Sequence, residues 1–62
     1  MKSEWKVECN CINGKPMYRV YRLRDTEETD HSGNREYASE YVSDYQVALD
    51  AAVLCNELEE RR

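Results

Sequence analysis

The residues best suited to chemistry in this sequence are three cysteines and one histidine. Cys9 and Cys11 share one face of a predicted strand, about 7 Å apart. With Cys55 and His31 they could supply a tetrahedral Cys₃His zinc site, but zinc-binding cysteines are normally about two to four residues apart around a tight turn. We therefore expect no metal. We expect all three thiols to be reduced and packed in the core, because they share faces with apolar residues.

A catalytic centre is not recognisable in the pattern of residues. His31 lies in a predicted loop, and no motif ties it to a cysteine or serine as the base of a nucleophile. The acidic run from Asp25 to Asp30 lacks the glycine spacing of a calcium loop, and two glycines are too few for a phosphate-binding loop. We therefore expect a protein that is not an enzyme and that binds no cofactor.

The clearest functional signal is a basic and aromatic stretch on the second predicted strand. Basic side chains interleaved with tyrosines can bind phosphates and stack on bases. The net charge of −4 favours the opposite interpretation, in which the arginines pair with Glu8, Glu36 or Glu40 across the sheet. Nucleic-acid binding is therefore the alternative prediction. The residues that would carry it are Lys15, Tyr18, Arg19, Tyr21, Arg22 and Arg24.

The predicted C-terminal helix carries more apolar surface than one face can bury. At about 100° per residue, one apolar stripe is expected to pack on the sheet. Leu49 and Val53 project about 200° and 240° from Val47, outside that stripe. Either the sheet covers these two side chains, or they bind another protein or a second copy of the chain. The stripe expected inside comprises Val47, Ala51, Leu54, Cys55 and Leu58, with Ala48 and Ala52 at its edge.

Three strands are predicted to position these residues. The Asn13-Gly14 dipeptide favours a tight turn between the first two strands, and a solvated acidic loop at 25–34 precedes the third. The second strand has mixed alternation, so its inner face stays open at this point. The strands are predicted at residues 4–12, 17–24 and 35–42.

A helix is predicted to follow the strands. Ser43 and Gln46 have the spacing of a capping box, which predicts a helix over 44–60 with Arg61 and Arg62 at its negative end. The predicted fold class is α+β, a three-stranded antiparallel sheet with one C-terminal helix packed on one face.

The length of the chain limits what the protein can be. Its 62 residues are expected to form a single small domain, in which a deep enclosed active site has little room. No apolar run approaches the ~20 residues of a membrane span, and the charged start is not followed by the apolar core of a signal peptide. We therefore expect a cytoplasmic protein.

Two stretches of the sequence carry a resemblance to known proteins. Residues 18–25 (YRVYRLRD) and 30–37 (DHSGNREY), followed by the alanine-rich helix, resemble a family of short bacterial proteins of uncharacterised function. The resemblance implies a compact cytoplasmic domain and no mechanism. In topology alone, the predicted order is similar to the small DNA-binding domains at the start of tyrosine recombinases, which present a three-stranded sheet to the groove. Fold analogy of this kind does not carry function.

The sequence thus predicts a small, non-catalytic protein-interaction or accessory module. Its predicted partner is an unidentified protein or a second copy of the chain, bound through Leu49 and Val53. A sheet-based nucleic-acid-binding domain is the alternative.

Overall fold

The computed structural model describes residues 1–60 and arranges them as three strands followed by one helix. The strands form one antiparallel sheet in the order β1-β2-β3, and the helix packs on one of its faces. The predicted α+β fold class is confirmed. The elements are β1 at Lys6–Ile12, β2 at Lys15–Leu23, β3 at Arg35–Tyr37 and α1 at Tyr45–Glu60, with a 3₁₀ turn at Ser32–Asn34.

Strands β1 and β2 form a hairpin closed by the predicted two-residue turn. Asn13 and Gly14 adopt φ angles of 53° and 77°, the positive values that a type I′ turn requires at both positions. The turn sets a register in which Ile12 lies opposite Lys15. Strand β2 therefore begins at Lys15, earlier than the predicted start at residue 17.

Strand β3 is shorter than predicted because the chain bulges after Tyr37. The next paired residues are Tyr18 and Val42, which exchange two backbone hydrogen bonds of 2.7 Å. Residues 38–41 therefore lie opposite residues 19–20 of β2. Such a mismatch leaves residues unpaired and bends the strand. The predicted strand is wrong beyond Tyr37, because the alternation of tyrosine and serine there belongs to a bulge and not to a regular ladder.

Helix α1 has Asp44 as its N-cap. The Asp44 carboxylate accepts the Gln46 backbone N–H at 2.9 Å. The predicted capping box is wrong, since the Gln46 side chain donates to Asp50 at 2.9 Å and does not return to Ser43. An aspartate caps as well as a serine, and its charge also suits the positive end of the helix dipole. The predicted role of residues 61–62 at the other end of the helix lies outside the described residues.

The core lies between the centre of β2 and one face of α1. Val20 is fully buried, and Ala48 and Ala52 are nearly so. Alanine side chains are short, so they let the helix lie close to the sheet over Val20. The partly buried residues that complete the core are Trp5, Val7, Tyr18, Val42 and Ala51.

The helix is rotated about its own axis relative to the prediction. The Asn56 side chain accepts the Trp5 backbone N–H at 2.7 Å and donates to the Trp5 carbonyl at 3.2 Å. These bonds turn the Asn56 side of the helix towards the chain leading into β1. As a result Val47, Leu54 and Leu58, which the prediction placed inside, are half exposed. The prediction is wrong because it weighted large aliphatic side chains, whereas the helix residues buried against the sheet are the small Ala48 and Ala52.

All three cysteines are free, and only Cys55 is partly buried. The core sits against Val20, whereas Cys9 and Cys11 pair with β2 nearer the hairpin turn and are exposed. The prediction that all three thiols are packed in the core is therefore wrong for Cys9 and Cys11.

The residues of β2 alternate between two different environments. Tyr18, Val20 and Arg22 contact the helix or the core, while Arg19 and Tyr21 contact side chains on the other side of the sheet, which we call the open face. The Cα positions span 36 × 26 × 12 Å, so the protein is only two layers thick. Within residues 1–60, no helix is long and apolar enough to cross a membrane.

Candidate functional site

The open face of the sheet is organised around Arg19. Its guanidinium carbon lies 3.5 Å from the Tyr37 ring centroid and 4.2 Å from that of Tyr41. Four residues of regular strand would separate these tyrosines by about 13 Å. The bulge after Tyr37 brings both rings onto one arginine. Stacking of this kind shields the cation from solvent and holds it in place.

Carboxylates neutralise the cations of the open face. Glu8 lies 3.5 Å from Arg19 and 3.7 Å from Arg35, and its side chain is only 10% exposed. Arg35 also stacks on Tyr21, 4.4 Å from the ring centroid, and donates two hydrogen bonds to Asp30, at 2.8 and 3.0 Å. The hydrogen bond to Asp30 raises the pKa of Arg35 and lowers that of Asp30. Each arginine of the open face therefore has at least one carboxylate partner.

The helix side of the sheet holds a second arginine cluster. Arg22 donates to Glu36 at 2.7 Å, lies 3.4 Å from Glu59 of the helix, and stacks on Trp5 with 4.3 Å between the guanidinium carbon and the ring centroid. The hydrogen bond from Arg22 lowers the pKa of Glu36 and raises that of Arg22. This cluster borders a groove of about 470 Å³ between the N-terminal segment and the end of α1. The Arg22 cluster thus joins the helix to the sheet through ion pairs with Glu36 and Glu59.

The basic and aromatic residues predicted for nucleic-acid binding do not share one surface. Tyr18 and Arg22 face the helix, and Arg19 and Tyr21 lie on the open face. The predicted cross-strand pairing is confirmed for Arg19 with Glu8 and for Arg22 with Glu36. The remaining members of the set, Lys15 and Arg24, are exposed. Nucleic-acid binding by this set stays a prediction.

The fold leaves an apolar stripe on α1 uncovered. Val47, Leu54 and Leu58 are 52%, 55% and 52% exposed. With the partly buried Ala51 they recur at intervals of four, three and four residues, the spacing of a and d positions in a coiled coil. We call these four residues the helix seam. Residues at this spacing line one side of a helix and suit packing against a second helix.

The predicted partner-binding residues lie on a different side of the helix. Leu49 is partly buried and Val53 is 49% exposed. They project about 200° and 240° from Val47, so they do not continue the helix seam. Binding by Leu49 and Val53 stays a prediction, whereas sequence reasoning missed the helix seam because it assigned those residues to the core. The signal that could have identified the helix seam is Asn56. Its side-chain amide can bond to backbone groups of a neighbouring element, which favours an inward position for its side of the helix.

The residues considered for metal binding are not brought together. His31 accepts the Gly33 backbone N–H at 3.1 Å and so caps the short 3₁₀ turn. Within residues 1–60, no group of three or more histidine, cysteine, aspartate or glutamate side chains is arranged to hold a metal ion.

The chain matches no protein-family model, no curated protein and no solved structure. A function for this protein is therefore inferred from the geometry of the helix seam and of the two arginine clusters.

Proposed function

We propose that this protein is a non-catalytic interaction module of the cytoplasm, which binds a helical segment of another protein along the helix seam. The observation that carries the proposal is the half exposure of Val47, Leu54 and Leu58 at coiled-coil spacing. An exposed set of apolar side chains on one side of a helix in a small domain is typical of an interaction surface. The Arg22 cluster supports the proposal indirectly, because its ion pair with Glu59 joins the helix to the sheet.

The energy available from the helix seam limits how such binding can work. Burying a fully exposed valine or leucine side chain contributes about 1.5–3 kcal/mol, so three half-exposed ones contribute about 2–4 kcal/mol together. Association costs at least about 4 kcal/mol in lost translational and rotational freedom. The seam alone does not suffice for stable binding. A partner must therefore also contact the residues that flank it.

The proposal is tested by two substitutions of neighbouring residues. Leu54→Lys introduces a charge into the helix seam, and Val53→Lys introduces the same charge at a similarly exposed position on a different side of the helix. Tagged wild type and both variants are used to capture proteins from a lysate of the native host, with circular dichroism as the control for folding. We expect one or more proteins to bind the wild type and Val53→Lys but not Leu54→Lys.

Two results would contradict the proposal. Capture that depends on Val53 and not on Leu54 would support the surface around Leu49 and Val53 that the sequence predicted. Capture that is equal for all three proteins would show that the helix seam has no part in binding.

A further inference from the structure

The two sides of the helix seam differ in what they offer a partner. In the coiled-coil spacing, Ala51 and Leu58 take the a positions, and Val47 and Leu54 take the d positions. One flank consists of the residues directly before the a positions, Asp50 and Glu57. The other flank consists of the residues directly after the d positions, Ala48 and Cys55. Asp50 and Glu57 are exposed, whereas Ala48 is buried in the core and Cys55 is partly buried. Only the acidic flank is therefore open to contacts with charged side chains of a partner.

The charged side chains of α1 all have the same sign. The helix from Tyr45 to Glu60 contains four acidic residues and neither lysine nor arginine. Of these acids, Glu59 already pairs with Arg22, and Asp50 accepts a hydrogen bond from the Gln46 amide, which leaves its charge uncompensated. The flank beside the helix seam thus presents a negative field that no residue of the helix offsets.

A second copy of the chain is a poor match for this surface. In antiparallel packing of two helices, equivalent flanks face each other, so Asp50 and Glu57 would meet the acids of the other copy and repel them. In parallel packing, each acidic flank would meet the flank formed by Ala48 and Cys55, which the sheet already covers. Neither arrangement provides the additional flank contacts that stable binding along the helix seam requires.

We infer that the partner is an amphipathic helix with lysine or arginine beside its apolar stripe, bound against the helix seam with its basic side chains on Asp50 and Glu57. This inference rests on the proposed function. From Val47 to Leu58 the seam spans about 16 Å, three turns of helix, so a partner segment of three to four turns covers it. Opposite charges at the flank add favourable contacts and suppress pairing with a second copy.

The experiment uses two synthetic helical peptides that differ only in charge. Both carry leucine at the a and d positions of two heptads, and the flanking positions are lysine in one peptide and glutamate in the other. Binding of each fluorescently labelled peptide to the full chain is measured by anisotropy at low and physiological salt. We expect the lysine peptide to bind at least ~10-fold more tightly than the glutamate peptide, with the difference narrowing as salt increases.

Charge reversal on the protein provides the matched test. The double variant Asp50→Lys/Glu57→Lys is expected to reverse the preference between the peptides. Glu27→Lys/Glu28→Lys changes the net charge by the same amount in an exposed loop away from the helix, so it is expected to keep the preference of the wild type. A preference that follows net charge in both variants would overturn the inference.

The remaining outcomes separate the inference from the proposed function. If both peptides bind equally and both lose affinity with Leu54→Lys, the inference is wrong while the proposed function stands. If Leu54→Lys changes binding of neither peptide, the helix seam is not the binding surface and both fail. Sedimentation velocity tests for self-association. If the wild type is a dimer and Leu54→Lys is a monomer, the inference is wrong and the partner is a second copy of the chain.

Discussion

Asn34 is the residue on which the acidic loop depends. Its buried side chain accepts the Asp25 backbone N–H at 3.0 Å and donates to the carbonyls of Asp25 and Thr29, at 2.9 and 3.3 Å. One amide thus joins the start, middle and end of a loop in which the sequence offers no apolar residue. The loop is held by polar contacts where a core is missing.

Removing the Asn34 side chain should therefore destabilise the fold. Each net hydrogen bond contributes about 0.5–1.5 kcal/mol, so Asn34→Ala is expected to lower the free energy of unfolding by about 2–3 kcal/mol, as measured by urea titration. Ser32→Ala, in the same turn but exposed, is the control and should change stability by less than ~0.5 kcal/mol. Equal effects of the two substitutions would show that the loop does not depend on Asn34.

Glu36 gives the stability of the protein a dependence on pH. The hydrogen bond from Arg22 lowers the pKa of Glu36 below its ordinary value of 4.5 in the folded state. A carboxylate with a lowered folded pKa stabilises the fold above its unfolded pKa, and this contribution is lost as the pH falls through the folded value. We expect stability to fall below about pH 4.5, and to fall less steeply in Glu36→Gln, when thermal unfolding is followed from pH 7 to pH 3. An unchanged slope in the variant would contradict this role.

At the level of the elements, the turn and the strands near it could be predicted from the sequence. Asn13-Gly14 and the alternation on either side are local signals, because turn type depends on the two residues themselves. The rotation of α1 could not be predicted in this way. It depends on hydrogen bonds between Asn56 and the backbone of Trp5, residues far apart in the sequence. The helix seam was missed for the same reason, since its exposure follows from that rotation.

The bulge after β3 also could not be predicted from the local sequence. The alternation of Tyr37, Ser39 and Tyr41 is typical of a regular strand. In the folded protein two of these side chains stack on Arg19, and the Ser39 hydroxyl accepts the Val20 backbone N–H at 3.3 Å. Contacts with the neighbouring strand decide the geometry, and they become visible only once the strands are paired.

The pairing of arginines on β2 predicts weak binding to nucleic acid. Arg19 and Arg22 are both stacked on aromatic rings and paired with carboxylates, so little positive field is left to attract phosphates. Titration of labelled single- and double-stranded oligonucleotides at physiological salt is expected to show no binding at micromolar protein concentration. Tight, salt-sensitive binding that is lost in Arg22→Glu would favour the alternative function instead.

Across the whole molecule, stability rests on a very small core. Val20 is the largest fully buried side chain within residues 1–60, and a domain of this size has about 3–9 kcal/mol of total stability. Val20→Ala is expected to lower the free energy of unfolding by about 2–3 kcal/mol, from lost burial and the cavity left behind. Val53→Ala makes the same change at a half-exposed position and should cost less than ~1 kcal/mol. Urea titration compares the two, and similar losses would contradict the assigned core.

The half-exposed helix seam keeps aliphatic side chains in contact with water in a molecule only two layers thick. Hydrated apolar surface has a high heat capacity, so docking of a partner helix should release this water and give a negative heat capacity change. Calorimetric titration with the lysine peptide at several temperatures would then show a binding enthalpy that becomes steadily more favourable on warming. Contacts made by the acidic flank alone would leave that enthalpy nearly independent of temperature.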